Sequence, residues 1–311
     1  MDLNSVNLRI ACVIPTYNAG PNLSKLIRSL KRQNISFDLY FVDSSSADGS
    51  RELLDSKDIN VISIPKEEFN HGDTRQMMVN LHPNYDVYVF LTQDAYLADK
   101  TSIANLVYPF IDPAVGAVCG RQLPHKDASL LAQHARMFNY PEHIQIKSIE
   151  DAGNLGIKTA FMSNSFAAYR KEALINVGGF PSNVIFAEDM YVAAKMLISG
   201  WKLVYAGNAK CHHSHDYSLR EEFSRYFDMG VFHAREPWIR EKFGGAGGEG
   251  LRYVKSELRF LGLRYAYLWP ISIMRNTAKL LGFKLGLNEN KLAINFKRAL
   301  GMHKNFWDQV S

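Results

Sequence analysis

The stretch L-R-I-A-C-V-I, Leu8–Ile14, followed by P-T-Y-N, Pro15–Asn18, decides the fold. An almost unbroken apolar run ended by a proline reads as a buried strand. Pro21–Gln33 carries Leu23, Leu26, Ile27 and Leu30 at helical spacing. The alternation continues through strands at Phe37–Val42, Val61–Ile64, Val87–Leu91 and Val115–Cys119. Helices are expected between them at Asp48–Leu54, Asp73–Leu81 and Thr101–Phe110. Such an order predicts an α/β protein with a Rossmann-like, mostly parallel sheet and helices on both faces. Ligands of such sheets bind at the carboxyl ends of the strands, where strand order switches.

The middle of the chain is less regular. Helices are expected at Leu130–Phe138, Glu188–Ser199 and Leu219–Phe232. Strands are expected at Phe166–Tyr169, Lys202–Tyr205 and Ala209–His213. Gly244–Gly248 reads as a flexible break. The expected division is a core domain over 1–240 and a helical, basic region over 250–311.

The chain has 311 residues, 47% of them hydrophobic and 22% charged, which is enough for a large core. Cys12, Cys119 and Cys211 lie far apart in apolar surroundings and read as reduced thiols of a cytoplasmic protein. Met1–Asn7 has neither a basic nor an apolar signal region, and no apolar run is long enough to span a bilayer. From Leu251 onward eleven Lys and Arg face three acids, a net +8, so the first 250 residues carry −3. Tyr253, Phe260, Tyr265, Tyr267 and Trp269 are interleaved with these cations. That composition suits an amphipathic helix at an anionic membrane interface, or a helical subdomain packed on the core or another subunit. Nucleic acid is not expected as a partner, since the rest of the chain is mildly acidic and carries no recognition motif.

Polar groups recur after four of the strands: Pro15-Thr16-Tyr17-Asn18, Asp43-Ser44-Ser45-Ser46, Phe69–Arg75 and Gln93-Asp94. Each alone is ordinary turn chemistry. Together at one sheet edge they outline a nucleotide site. Asp43 can accept from a pyrimidine N–H, and the backbone at Thr16–Tyr17 can read a carbonyl. Arg75 at a helix start can donate to a diphosphate. Asp94 can ligate a divalent cation, with His213 and His215, two residues apart, on the same side.

V-I-P-T-Y-N (Val13–Asn18), F-V-D-S-S-S-A-D-G-S (Phe41–Ser50), T-Q-D-A (Thr92–Ala95) and A-E-D (Ala187–Asp189) resemble the inverting glycosyltransferases of family 2, with the GT-A fold. F-N-H-G-D-T-R (Phe69–Arg75), F-L-T-Q-D-A (Phe90–Ala95) and H-S-H-D-Y-S (His213–Ser218) resemble the bacterial rhamnosyltransferases of that family. The resemblance spans about residues 8 to 235.

It implies a dTDP-L-rhamnose donor and a saccharide acceptor on a lipid carrier. The setting would be surface-polysaccharide synthesis at the inner face of the cell membrane. It places Pro15, Thr16, Tyr17, Asn18, Asp43, Ser45, His71, Gly72, Arg75, Gln93 and Asp94 on the nucleotide-sugar. Asp189 becomes the base and Glu188 its helper. Mg²⁺ or Mn²⁺ would be held by Asp94, His215 and His213. The family's D-x-D motif falls on Thr92-Gln93-Asp94, so its first acid is missing here. Asn164-Ser165 and Gly178-Gly179-Phe180 fall where the family surrounds acceptor and donor sugar. Alternatives are a same-fold transferase with another nucleotide-sugar, or a nucleotide-sugar-binding scaffold without catalysis. A homo-oligomer is compatible with either.

Overall fold

A computed structural model describes residues 8–245 and 247–309. The polar start Met1–Asn7 and Ala246 of the glycine-rich break lie outside the described residues. The strands are β1 (Ile10–Thr16), β2 (Asp38–Asp43), β3 (Asn60–Ser63), β4 (Val87–Leu91), β5 (Tyr96–Leu97), β6 (Val115–Leu123), β7 (Gln145–Lys147), β8 (Phe166–Arg170) and β9 (Lys202–His212). Their order is β3-β2-β1-β4-β8-β6-β9-β5, with β7 on β9.

The sheet is parallel across β3-β2-β1-β4, as the alternation predicts. Beyond β4 it turns mixed, because β8 runs antiparallel to both β4 and β6, and β5 and β7 run antiparallel to β9. The two expected strands at 202–205 and 209–213 are one, with a register shift opposite Gly120 and Arg121. Pro15 does not end β1. It pairs with Val42 on the β2 side, and pairing with β4 stops at Val13. A proline without N–H is tolerated where one neighbouring ladder has ended.

The apolar run packs as a strand buried on both faces should. Ala11 and Val13 join one core with Tyr88, Phe90 and Tyr169, while Ile10, Cys12 and Ile14 join the other with Leu23, Leu26, Ile27 and Leu30. Full burial of each such leucine or isoleucine contributes about 1.5–3 kcal/mol. The three cysteines are buried and unpaired. The chain leaves β1 toward β2 and later returns to its other side as β4. This makes the β1/β4 boundary the switch point at which ligands bind.

The C-terminal region is helical. Glu249–Leu261 and Trp269–Gly286 are helices, and Pro270 sits in the first turn of the second, where its missing N–H costs nothing. That second helix crosses the helix Leu219–Arg235 with backbones almost touching. A Cβ on Gly282 would lie 2.3 Å from the Phe223 carbonyl oxygen, and one on Gly286 2.1 Å from that of Phe227. The region is anchored further by buried Phe306 and Trp307. Several of its cations are engaged internally: Arg275 and Lys279 with Glu222, Lys297 with Glu289, and Arg298 with Asp308. Part of the net +8 thus answers acids that the packed helices bury or approach. No helix among the described residues is long and apolar enough to cross a membrane.

Candidate active site

Three loops meet at the switch point. The Gln93 side chain accepts from Tyr17 N–H at 2.7 Å and donates to Tyr17 carbonyl at 3.0 Å. It therefore ties the β4 exit to the β1 exit as a backbone clamp, which is a different use from the expected contact with nucleotide. Asn18 does the same toward β2: its N–H donates to Ser46 Oγ and its side-chain oxygen accepts from Ala47 N–H. Ser45 Oγ donates to the Ile64 carbonyl. Asn18 (φ +46°), Ser45 (φ +62°) and Ala187 (φ +59°) all adopt the left-handed region without being glycine. Strain of this kind, about 1–3 kcal/mol each, concentrates at functional sites.

Asp43 and Thr16 are buried at the end of their paired strands. One Asp43 oxygen accepts from Ser46 N–H, the turn role that loop chemistry alone would assign. The other, Oδ1, is buried with no partner. A buried carboxylate oxygen left without a donor suits a ligand N–H. Beside it, Ser45, Ser63, Ile64, Pro65, Lys66 and Glu67 line an open pocket of about 490 Å³. Lys66 donates to the Tyr17 hydroxyl at 2.8 Å and lies over its ring. Nothing in the sequence pattern marks Lys66, because β3 is short and its exit looks like any turn.

Arg75 corrects an expectation. It is 2% exposed, and its Nη1 donates to Glu188 Oε1 at 2.8 Å and to the His71 carbonyl at 2.7 Å. Nη1 is thus engaged by Glu188 and the His71 carbonyl, Nε is buried without a partner, and the side chain is turned inward rather than toward the open pocket. The helix His71–Leu81 is capped by Asn70 and carries Arg75 on its buried face. Gly72 is also needed for packing: a Cβ there would lie 1.9 Å from the Pro181 carbonyl oxygen. His71 packs edge-on against Phe69 and His303, and burial lowers its pKa.

Glu188 and Asp189 open the helix Glu188–Ile198, so the helix-dipole explanation holds for both. It does not explain how differently they are held. Glu188 Oε1 accepts from Arg75 and from the Asn164 side-chain amide. Burial opposes its charge, but Arg75 and His71 outweigh that and lower its pKa. Asp189 accepts only from backbone, Asn164 N–H at 3.1 Å and its own neighbour Met190 N–H at 2.7 Å. Burial, then the Glu188 charge, pushes its pKa up to about 7. A half-buried carboxylate poised near neutrality is suited to taking a proton. Asn164 reaches both acids, with its side-chain amide on Glu188 and its N–H on Asp189. Gly178 and Gly179 end the helix Lys171–Asn176 in left-handed conformation.

Asp94, His213 and His215 come together. Asp94 Oδ2 lies 3.4 Å from His213 Nε2 and 3.6 Å from His215 Nε2, and one ligand atom from each falls within 4.8 Å of the others. Gln122 sets the tautomer of His213. Its Oε1 accepts from Arg136 and its Nε2 donates to Ser163, so Oε1 faces His213 Nδ1 at 2.8 Å as an acceptor. Nδ1 then carries the proton and Nε2 its lone pair, aimed at the Asp94 carboxylate. Burial lowers the pKa of both histidines, to about 4 for His215. Asp94 Oδ2 and the two imidazole Nε2 atoms thus face one another with no proton between them, an arrangement that a cation would relieve. Two neutral imidazoles and one carboxylate converging with lone pairs fit a divalent cation that accepts nitrogen. His212 points elsewhere, with Nδ1 on the Pro124 carbonyl. Gln122 and Arg136 were silent in the sequence, since their role depends on β6 lying beside β9.

Residues 11–178 match the model of Glycosyl transferase family 2. The chain belongs to glycosyl transferase family 2. It is 50% identical over 306 residues to the O-antigen chain rhamnosyltransferase RfbN of Salmonella typhimurium, covering 97% of each chain. It is 47% identical to the O-antigen chain rhamnosyltransferase WbaN of Salmonella anatum, covering 96% of this chain and 95% of that one. Among solved structures, this family 2 glycosyltransferase resembles the mannosyltransferase PcManGT of Pyrobaculum calidifontis in complex with GDP-Man and Mn²⁺. The TM-score is 0.57 at 18% identity, over 98% of this chain and 86% of that one. It also resembles S. aureus TarS 1–349 in complex with UDP-GlcNAc, with TM-score 0.52 at 14% identity, over 91% and 92% of the two chains. These likenesses establish the GT-A fold.

Proposed function

We propose that this glycosyltransferase moves L-rhamnose from dTDP-β-L-rhamnose to a saccharide acceptor in O-antigen synthesis, with inversion at the anomeric carbon. The observation that carries the rhamnosyl reading is the 50% identity to RfbN over nearly the whole of both chains.

The orphaned Asp43 Oδ1, beside the pocket at the β3 exit, supports reading a thymine N3–H there. Asp94, His213 and His215 would hold Mn²⁺ or Mg²⁺, whose charge would stabilise the departing diphosphate. Asp189 takes the proton of the acceptor hydroxyl as that oxygen attacks the anomeric carbon. The bond from that carbon to the phosphate oxygen breaks, and its electron pair leaves with the diphosphate. Glu188, fixed by Arg75 and Asn164, adds to burial in keeping the Asp189 pKa high. No covalent intermediate is needed.

A panel of sugar nucleotides, assayed for hydrolysis and transfer with and without Mg²⁺ or Mn²⁺, tests the reading. Turnover of dTDP-L-rhamnose alone or foremost is expected. Turnover only of donors carrying another nucleotide would overturn the donor assignment.

The acceptor is proposed to sit on a lipid carrier at the cytoplasmic face of the membrane. The support is an exposed apolar stripe, Leu263, Tyr267, Ile273, Met274, Leu280 and Leu281, with Leu263 86% and Tyr267 74% exposed. Exposed Lys255, Arg259, Arg264 and Lys284 flank it. Apolar contact rimmed by cations fits an anionic bilayer. The enzyme should float with liposomes containing phosphatidylglycerol and lose this on combined Leu263→Ser, Ile273→Ser and Leu280→Ser substitution. Unchanged flotation would remove the membrane role of this face.

A further inference from the structure

We propose that Arg225 is the side chain that takes the negative charge of the departing diphosphate. This rests on the nucleotide-sugar reading above and names a residue for a duty expected of Arg75, whose side chain is turned inward.

Transfer leaves the nucleoside diphosphate with one more negative charge than it carried in the donor. A cation that meets this charge where it develops accelerates the step. The cations near the site are mostly committed. Arg75 is held by Glu188, Arg136 donates to Gln122, and Lys66 donates to Tyr17. Arg225 is different. It is half-buried, and among the described residues it has no carboxylate or hydrogen-bond acceptor.

What holds Arg225 instead is aromatic. Its guanidinium carbon lies 4.7 Å from the centroid of the Phe186 ring and 5.7 Å from that of Tyr217. The two rings lead to the two halves of the site. Tyr217 stacks on His215 of the metal group, with centroids 4.9 Å apart. Phe186 stands next to Ala187, immediately before Glu188 and Asp189. Arg225 therefore links the ring stacked on the metal group to the ring that precedes the helix of the two acids.

Rings on a guanidinium occupy its faces and leave its N–H edge for an acceptor in plane. The Arg225 donors have no protein acceptor among the described residues, so they are available to an arriving anion. A diphosphate matches the fork, and a side chain already oriented by stacking loses little entropy on binding it. The capped helix start at Ser218, with its Glu221 capping box, fixes the first turns of the helix that carries Arg225.

The test is calorimetric binding of thymidine and dTDP to wild type, Arg225→Met and Arg225→Lys, each with Mn²⁺ and with chelator. Arg225→Met keeps the stacked bulk and removes the charge. It should bind dTDP about 10- to 100-fold more weakly with and without Mn²⁺, and thymidine as wild type does. Arg225→Lys should recover part of the dTDP affinity. Equal dTDP affinity in wild type and Arg225→Met overturns the proposal, as does a parallel loss of thymidine and dTDP affinity, which marks a structural role. If Arg225→Met does not fold, Arg225→Gln takes its place with the same two outcomes. If wild type binds UDP or GDP but not dTDP, the donor reading fails and the same comparison is made on that diphosphate. If wild type binds none, the proposal falls with the reading it rests on.

Discussion

Glu188 and Asp189 are neighbours in sequence, but among the described residues only Glu188 has an ion-pair partner, with Arg75 Nη1 2.8 Å from its carboxylate. Glu188 is held ionised, and its fixed charge then helps raise Asp189. A pair of acids pushed apart in this way divides the labour between a permanent charge and a proton acceptor.

The pH dependence follows from that division. Asp189 must be unprotonated to accept the acceptor proton. Transfer rate at saturating substrate should therefore fall as pH drops through about 7. A pH–rate profile measures this. A limb below pH 5 would mean that Asp189 is an ordinary carboxylate.

Stability should respond in the opposite sense. The Asp189 pKa is raised on folding, so between its ordinary value of 3.8 and about 7 the native state binds more proton than the unfolded chain. This group's contribution to stability falls as pH rises through that window. Asp189→Asn should raise Tm at pH 8 more than at pH 5, which thermal melts at the two pH values will read.

Breaking the buried ion pair should be expensive. Arg75→Met leaves Glu188 charged and unpartnered, a cost of about 3–5 kcal/mol in denaturant melts. Arg75→Met with Glu188→Gln should recover much of it. If the double variant is no better than the single one, the pair is not the source of the loss.

The metal group has its own test. Asp94→Asn, His213→Ala and His215→Ala should each weaken Mn²⁺ binding in calorimetry. Gln122→Leu, which removes the acceptor for His213 Nδ1–H, should weaken it about 10- to 100-fold without touching the ion. Unchanged Mn²⁺ affinity in the three direct variants would remove the site.

Most of the parallel half of the sheet was readable, because strands buried on both faces leave apolar runs such as Leu8–Ile14 and Val87–Leu91. The strand-end motifs also named loops that meet at the β1/β4 switch point. What the sequence did not reveal was the use of each side chain there. Gln93 clamps Tyr17 and Arg75 turns inward to Glu188, and both depend on contacts across more than seventy positions. Gln122 and Arg225 escaped for the same reason, since a buried amide and an arginine on a helix look ordinary until β6 meets β9 and the helix meets Phe186. The basic tail misled in part: Arg275, Lys279 and Lys297 answer internal acids, and only cations such as Arg259 and Arg264 remain outward.

The central claim is that Asp189 is the base of an inverting transfer. The direct measurement is single-turnover transfer from dTDP-β-L-rhamnose by wild type and Asp189→Asn, with the anomeric proton of the product followed by NMR. The account predicts an α-linked rhamnoside from wild type, and a rate about 10²- to 10⁴-fold lower in Asp189→Asn with unchanged donor affinity. A β-linked product, or near wild-type transfer by Asp189→Asn, would contradict it.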